Sequence, residues 1–362
     1  MLGKVPLSFC RHASAVILLI ILTSCTGVDT ISSVPVRCDI WPPKAMQEST
    51  GMYGPEDIVL DTNHTYPRLI ISSLERRSPL LFWLKPTGDL FEMNLHTHAI
   101  TKLPRTDEPQ GFELRPHGID LRRIEDITYL YVVAHGARRG QPESVVRYKV
   151  LGTTLQFDQT FSQPHHPLLT RPNDVQAEAN GGFYVTNLES DDWWPVYPPA
   201  PVLHYAGQQW HVVGQFKANG NGVFLHENQL LVADDRTDQI VSIPLDNPEK
   251  QRTFLSLKNP DNINQGPGSD LLIASHTSTM KFFLHSYGLA SPSPGSIEHV
   301  KLEGSPPLKT HSVFVSDGTP LSAPSSAIWF ENRLYIGQVY KPFIVDVPVS
   351  DFTQTVSCGT SG

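Results

Sequence analysis

The stretch YLYVVAH, Tyr129–His135, decides the fold because it recurs along the chain. Each copy places three or four apolar or β-branched residues after a turn and before small or polar residues, which is typical of a β-strand. The other copies are RLIISS ending at Ser73, GGFYVTN ending at Asn187, NQLLVAD ending at Asp234, SDLLIASH ending at His276 and NRLYIGQ ending at Gln338. Six such units, spaced roughly 40 to 60 residues apart, predict an all-β, six-bladed β-propeller with about four strands per blade.

Composition favours one large domain over the alternatives. The chain has 362 residues, of which 40% are hydrophobic and 18% charged, so it can bury a sizeable core. A (β/α)₈ barrel would need amphipathic helices between the strands, and two β-domains would normally show a linker. Pro and Gly instead punctuate the chain evenly. The net charge of −8, with scattered Lys and Arg, argues against a nucleic-acid partner.

The first 25 residues predict a leader. Lys4 and Arg11 precede ASAVILLIILTS, an apolar run that is too short to span a bilayer comfortably and is typical of a secretory signal. The run ends in LTSC, which resembles a bacterial lipoprotein processing box with Cys25 as the lipidated residue; ordinary cleavage and a retained anchor are the alternatives. We therefore expect an extracytoplasmic protein, secreted or attached to a membrane through the leader, with residues 26–35 as a linker and 36–362 as the propeller.

Cysteine usage agrees with export. Cys10 and Cys25 belong to the leader, which leaves Cys38 and Cys358 at opposite ends of the remaining chain. Two cysteines in an exported protein most simply pair, and such a bond would suit a closed ring. Two unpaired thiols are the alternative.

A second repeated feature lies upstream of the strands, where polar residues stand at matched positions. Equivalent positions of successive blades surround the axis of a propeller, so side chains at one such position should converge. The residues are Glu56 and Asp57 before Ser73, His117 before His135, Asn173 and Asp174 before Asn187, Asn221 before Asp234, and Asp261 and Asn262 before His276.

The converging groups indicate a calcium site. Carboxylate and amide oxygens are the ligands that calcium takes, whereas zinc would want mostly His or Cys, and the sequence has no H-E-x-x-H or C-x-x-C. Taken singly, each residue could simply form a turn, but the matched positions favour a ligand set. A nucleophilic alternative is weak because no G-x-S-x-G occurs. His165, His166 and the loop DDWWPVY, Asp191–Tyr197, are interpreted as loop residues.

Several of these segments together resemble a known family. Taken in order, they are similar to the paraoxonase/arylesterase family, whose members are related to gluconolactonase-type six-bladed propellers. The resemblance covers about residues 36–358. The segments are GPEDI (54–58), RPHGID (115–120), YVVAHG (131–136), RPNDV (171–175), FYVTN (183–187), NGV (221–223), PDNI (260–263) and TMKFF (279–283).

The resemblance implies a calcium-dependent hydrolase of lactones and aryl esters with two calcium ions in a central tunnel. It assigns a catalytic pair, His117 and His135, and a terminal disulfide, Cys38–Cys358. The structural calcium would be held by Asp57, Asp174 and the main-chain oxygen of Ile119. The catalytic calcium would be held by Glu56, Asn173, Asn221, Asp261 and Asn262.

Two departures from the family pattern matter. FKANGNGVFL offers Asn219 as an alternative to Asn221, and we prefer Asn221 because Asn-Gly-Val followed by a short hairpin suits related propellers. The loop after Asn187 is shorter than in the animal enzymes, so binding to lipoprotein particles is not carried over.

The leading hypothesis is hydrolysis of a lactone or ester. Calcium would bind the carbonyl oxygen, His117 would act as general base on water, and His135 would orient His117. One rival is another activity on the same scaffold, phosphotriesterase-like or strictosidine synthase-like. The other is a non-catalytic, calcium-stabilised propeller that binds a ligand or partner outside the cytoplasm.

Overall fold

The computed structural model describes most of the chain from residue 31 onward. The described residues are 31–76, 87–136, 141–162, 169–188, 200–286, 288, 292–302, 308 and 310–359. Residues 33–362 form one compact unit. The leader, His165, His166 and the loop Asp191–Tyr197 lie outside the described residues.

Strands dominate this part of the chain, because short apolar runs alternate with turns throughout it. The strands are Val34–Val36 (β1), Asp39–Trp41 (β2), Pro55–Asp61 (β3), Arg68–Ser73 (β4), Asp89–Asn94 (β5), Ile100–Lys102 (β6), Arg105–Thr106 (β7), Pro116–Ile124 (β8), Ile127–Ala134 (β9), Ser144–Leu151 (β10), Thr154–Ser162 (β11), Pro172–Ala177 (β12), Phe183–Asn187 (β13), Ala200–Ala206 (β14), Gln209–Ala218 (β15), Gly220–His226 (β16), Gln229–Asp234 (β17), Gln239–Pro244 (β18), Arg252–Ser256 (β19), Pro260–Gln265 (β20), Leu271–Ser275 (β21), Gly295–Val300 (β22), Thr310–Ser316 (β23), Pro324–Phe330 (β24), Arg333–Gln338 (β25), Ile344–Pro348 (β26) and Val356–Cys358 (β27).

Helices are short in the described residues. The α-helices there are Gln47–Thr50 (α1) and Thr279–Ser286 (α2), and single 3₁₀ turns occur at Lys44–Met46 and Pro248–Lys250. Neither α-helix of this part of the chain has the length and apolar character that a membrane crossing needs.

The described strands form six sheets, which are the blades of a propeller. Blade 1 is β3-β4-β5-β6, blade 2 is β8-β9-β10-β11 with β7 at its edge, blade 3 is β12-β13-β14-β15, and blade 4 is β16-β17-β18-β19. Blade 5 is β20-β21-β22-β23, and blade 6 is β24-β25-β26 with β2. The innermost strands contact one another in a closed ring, in the order β3, β8, β12, β16, β20, β24 and back to β3. The all-β propeller expected from the repeat is therefore confirmed.

The second strand of each blade explains why the repeat is visible in the sequence. In β17, Leu230 and Val232 pack against blade 3, while Leu231 and Ala233 pack against blade 5. Successive side chains of a strand point to opposite faces, so a strand covered on both faces must be apolar throughout. A separate hydrophobic cluster fills each of the six interfaces between neighbouring described blades.

The two ends of the described chain close the ring together. The N-terminal strand β2 pairs antiparallel with β26 and so completes blade 6, while β1 and the C-terminal β27 pair in parallel and extend blade 5. Cys38, between β1 and β2, is bonded to Cys358 on β27. The expected disulfide is confirmed, and it ties the strand that completes the last blade to the end of the chain.

Replacing both cysteines by serine (Cys38→Ser with Cys358→Ser) should lower the free energy of unfolding by about 2–4 kcal/mol, because the bond closes a long loop in the unfolded chain. Its partners are 320 residues apart. Denaturant unfolding measures the loss. A reducing agent should lower the stability of the wild type by a similar amount and leave the double variant unchanged. Equal stability of wild type and variant would show that strand pairing alone closes the ring.

Candidate active site

A β-bulge near the start of every innermost strand brings the polar residues to the axis. In each of the six strands, the pairing with the second strand shifts directly after the first residue. That first residue is Pro in five strands and Gly220 in β16, a position where no ladder N–H is required. A bulge bends its strand and re-aims the side chains within it. The bulge residues include Glu56, His117, Asn173, Asn221, Asp261, Asn262 and Ser325.

Two glycines in the bulges allow neighbouring blades to approach closely. A Cβ on Gly118 would lie 2.5 Å from the Cα of Asp174, and a Cβ on Gly222 would lie 2.7 Å from the Cα of Asn262. Both distances are shorter than a carbon–carbon contact permits. The glycine that follows His117 thus keeps the histidine beside blade 3, and the one that follows Asn221 keeps the asparagine beside blade 5.

Glu56 lies at the centre of the contacts. Its Oε1 accepts a hydrogen bond of 3.1 Å from Nδ2 of Asn262, which comes from blade 5. Its Oε2 lies 3.5 Å from Nε2 of His117 and 3.6 Å from Nη2 of Arg76. Its main-chain oxygen accepts hydrogen bonds from the hydroxyls of Ser325 and Ser326 in blade 6. Residues from four blades therefore meet at one glutamate.

Four buried oxygens of the candidate calcium ligands have no hydrogen-bond partner among the described residues. They are Oε2 of Glu56, Oδ1 of Asn173, Oδ1 of Asn221 and Oδ1 of Asn262. Buried oxygens normally have a partner, so four orphaned ones within the bulges of blades 1, 3, 4 and 5 are what a ligand set without its cation would present. The fifth predicted ligand, Asp261, is also buried and accepts a hydrogen bond of 2.9 Å between its Oδ2 and Nε2 of His276.

The structure distinguishes the two asparagines of blade 4 by position. Asn221 occupies the bulge of β16, the register position that Asn173 occupies in β12. Asn219 precedes the strand, and its Nδ2 donates to Oδ1 of Asp235 at 2.8 Å. Its Oδ1 also has no partner within the described residues. The register favours Asn221 as the counterpart of Asn173.

Asp57 and Asp174 link neighbouring blades. Oδ2 of Asp57 accepts the main-chain N–H of Ile119 at 2.7 Å, and Oδ2 of Asp174 accepts that of Val223 at 2.8 Å. The Oδ1 atom of each accepts the N–H of the next residue in its own strand. No carboxylate oxygen of this predicted second site is therefore orphaned in the described chain. Both residues also line a cavity of about 290 Å³ between the innermost strands.

Three axial carboxyl groups, those of Glu56, Asp57 and Asp174, have raised pKa values. Burial raises the pKa of Glu56 from its ordinary 4.5 to about 7; the positive charge of Arg76 opposes this rise and the negative charge of Asp261 adds to it. Burial, followed by the charges of Asp174 and Glu56, raises the pKa of Asp57 well above its ordinary value. Burial likewise raises the pKa of Asp174. Carboxyl groups crowded in this way favour either a proton or a metal cation.

The two histidines form a direct pair. Nδ1 of His117 lies 2.8 Å from Nε2 of His135, and Nδ1 of His135 lies 2.8 Å from Oε2 of Glu143. Burial, together with the positive charge of Arg76, lowers the pKa of His117 well below its ordinary value. The lowered pKa favours a neutral imidazole, whose Nε2 lies 3.5 Å from Oε2 of Glu56.

Sequence reasoning missed several residues of the site. Arg76 lies in the charged stretch LERRSP, which gives no sign that its guanidinium donates to the carbonyl of Pro116 and approaches Glu56. Ser325 could have been found, because it precedes Gln338 at the spacing that the other polar residues keep from their strand ends. The sequence pattern marks His276 only as the end of a strand-like run.

A cation at the axis would need side-chain amide oxygens as well as carboxylates. No cluster of three or more His, Cys, Asp or Glu side chains suited to a metal occurs in the described residues. Any cation at the axis would therefore depend on the oxygens of Asn173, Asn221 and Asn262 in addition to the carboxylates. Calcium accepts such neutral oxygens, whereas zinc prefers nitrogen and sulfur.

A six-bladed propeller with an oxygen-lined axis and a paired histidine is the class that fold and site define. The sequence profile of the arylesterase family matches residues 69–346, which is most of the chain. The chain therefore belongs to the arylesterase family, and the resemblance read from the motifs is confirmed. No curated protein matches the sequence at a significant level.

Solved structures agree with the fold. A gluconolactonase from Xanthomonas campestris has a TM-score of 0.50 at 14% identity, covering 89% of this chain and 98% of its own. A structural-genomics protein provisionally assigned as a gluconolactonase has a TM-score of 0.52 at 13% identity, covering 86% of this chain and 91% of its own. At such identities the likeness shows the propeller fold alone.

In chelator-treated protein, stability should fall as the pH rises from about 5 to about 8. Between 4.5 and about 7, folded Glu56 keeps a proton that the unfolded chain has released, so raising the pH favours unfolding. Melting temperature against pH measures the effect. Glu56→Gln should flatten the slope, and Glu125→Gln, at an exposed turn, should not. An unchanged slope in Glu56→Gln would contradict the raised pKa.

Proposed function

We propose that the chain is a calcium-dependent hydrolase of lactones and aryl esters. The observation that carries this proposal is the set of four orphaned, buried oxygens in the bulges of the innermost strands, one of which, Oε2 of Glu56, lies 3.5 Å from Nε2 of His117. Membership of the arylesterase family and the gluconolactonase names of two fold neighbours support the same class of reaction.

The orphaned oxygens identify the residues that would bind the ion. Glu56, Asn173, Asn221 and Asn262 would each offer one oxygen, and Asp261 would contribute its carboxylate. When bound, calcium supplies Lewis-acid polarisation of the substrate carbonyl and stabilises the negative charge that develops on its oxygen. A second calcium, with Asp57, Asp174 and the main-chain oxygen of Ile119, belongs to the same proposal, with the resemblance as its only support.

His117 would perform the proton transfer. Its Nε2 accepts a proton as the oxygen of water forms a bond to the carbonyl carbon, and the carbon–oxygen bond to the leaving group then breaks. The same proton returns to the leaving alkoxide or phenoxide, so a lactone yields one hydroxy acid and an aryl ester yields an acid and a phenol. His135 holds the imidazole of His117 in place through the 2.8 Å contact.

An extracytoplasmic location is part of the proposal. The disulfide between Cys38 and Cys358 supports it, since such bonds persist mainly in oxidising compartments. Attachment to a membrane through the leader remains a prediction from the sequence. A small lactone or ester is the expected partner.

Removing calcium should abolish hydrolysis, and restoring it should recover the activity. The measurement is a panel of acyl-homoserine lactones, aliphatic lactones, aryl esters and a phosphotriester, assayed before chelation, after it and after calcium is restored. Magnesium at the same concentration is the control. The magnesium ion is smaller, needs a nearly ideal octahedron and gives up its water ligands reluctantly, so it should replace calcium poorly at a site built from several protein oxygens. If no substrate is hydrolysed in any of the three states, the result would favour the non-catalytic, calcium-stabilised binder. Turnover of the phosphotriester alone would favour the rival chemistry.

Substitutions should separate the base from the metal ligands. His117→Gln should lower kcat by ~10²–10⁴-fold, the usual contribution of a general base. Asn173→Ala should cause the larger loss, together with weaker calcium binding measured by calorimetry. His211→Gln and Asn63→Ala, at exposed positions, are the controls and should keep full activity. If His117→Gln kept full activity while Asn173→Ala lost it, the general-base role of His117 would be wrong and the metal-binding role of Asn173 would still be supported.

A further inference from the structure

Glu143 extends the histidine pair into a chain of three side chains. It lies directly before β10, and its Oε2 is 2.8 Å from Nδ1 of His135. Both side chains are partly shielded, with 19% of His135 and 26% of Glu143 exposed. The main-chain N–H of Gly136 also donates to the Glu143 carboxylate. The carboxylate is therefore held from two directions, and the sequence motifs gave no sign of it.

This chain of contacts determines where the protons lie. Burial alone would raise the pKa of Glu143, but the hydrogen bond from His135, the N–H of Gly136 and the charge of Arg115 outweigh it and lower the pKa, so the carboxylate is ionised and can only accept. Nδ1 of His135 must then carry a hydrogen. In a neutral imidazole, Nε2 of His135 is consequently an acceptor, and the hydrogen in the 2.8 Å contact must come from Nδ1 of His117.

We propose that Glu143 is a positioning residue that, through His135, fixes the proton of His117 on Nδ1 and leaves Nε2 free to accept a proton. This inference rests on the proposed hydrolysis only for its consequence in catalysis. The freed Nε2 is the atom that lies 3.5 Å from Oε2 of Glu56, on the side of the orphaned oxygens.

Glu143 also acts after the proton has moved. When Nε2 of His117 takes a proton from water, the ring becomes a cation with hydrogens on both nitrogens. Its Nδ1–H still donates to His135, whose Nδ1–H still donates to the negative carboxylate of Glu143. An oriented imidazole backed by a carboxylate is a general way to fix a tautomer and stabilise the cation that forms.

The kinetic test uses Glu143→Gln and a matched control. Glu178 forms a similar pair with His204, 2.7 Å between Oε2 and Nε2, at a position away from the axis. Glu143→Gln should lower kcat on the best lactone or ester by roughly 10- to 100-fold with KM within about twofold, a part of what a general base contributes. Glu143→Asp should recover part of the loss, and Glu178→Gln should leave kcat unchanged. A wild-type kcat in Glu143→Gln, or an equal loss in Glu178→Gln, would overturn the proposal.

A second measurement needs no substrate. Nitrogen-15 NMR of the histidine side chains in the wild type should show His117 with its hydrogen on Nδ1 and a bare Nε2, assigned by comparison with His117→Gln and His135→Gln. A hydrogen on Nε2 of neutral His117 would overturn the inference even if the protein hydrolyses lactones. If no substrate of the panel is hydrolysed, the proposed function fails, and the NMR result still decides the role of Glu143.

Discussion

The bulge that opens each innermost strand is the constraint on which the site depends. A regular strand alternates its side chains between two faces, and both faces are needed here to pack against neighbouring blades. An extra residue in the strand frees a side chain from that alternation and turns it toward the axis. The same local geometry, repeated in all six innermost strands that the structure describes, assembles a polar centre without taking any residue from the apolar clusters.

The polar centre also holds the blades together. Side-chain oxygens of one innermost strand accept main-chain N–H groups of the next: Asp57 from Ile119, Asp120 from Ala177 and Gln176 from Leu225. Innermost strands are not hydrogen-bonded to one another as sheet neighbours, so their N–H groups on the axial side need such acceptors. The carboxylates that the resemblance assigns to the inner calcium are therefore structural groups of the ring before any ion is considered.

The sequence predicted the fold because the second strands are buried on both faces and stand out as apolar runs. Spacing from those strands located Glu56, His117, Asn173, Asn221 and Asp261, since the bulge lies at a nearly constant distance upstream. Arg76 and Glu143 escaped this reasoning. Each lies in a polar segment outside the inner strands, and only the folded ring places Arg76 beside Glu56 and Glu143 beside His135. A one-dimensional pattern carries no sign of such contacts.

Glu56 connects the two halves of the proposed chemistry. One oxygen bonds to Asn262, among the candidate ligands, and the other stands 3.5 Å from the nitrogen that would act as the base. A carboxylate in this place keeps the base and the polarised carbonyl within one contact of each other, as hydrolysis requires. In the proposed site, a change at Glu56 would therefore alter the affinity for the cation and the environment of His117 together. Substitutions can test the three parts of the proposal one at a time. A change at Asn173 tests metal binding, one at Glu143 tests the arrangement of protons, and one at His117 tests the general base.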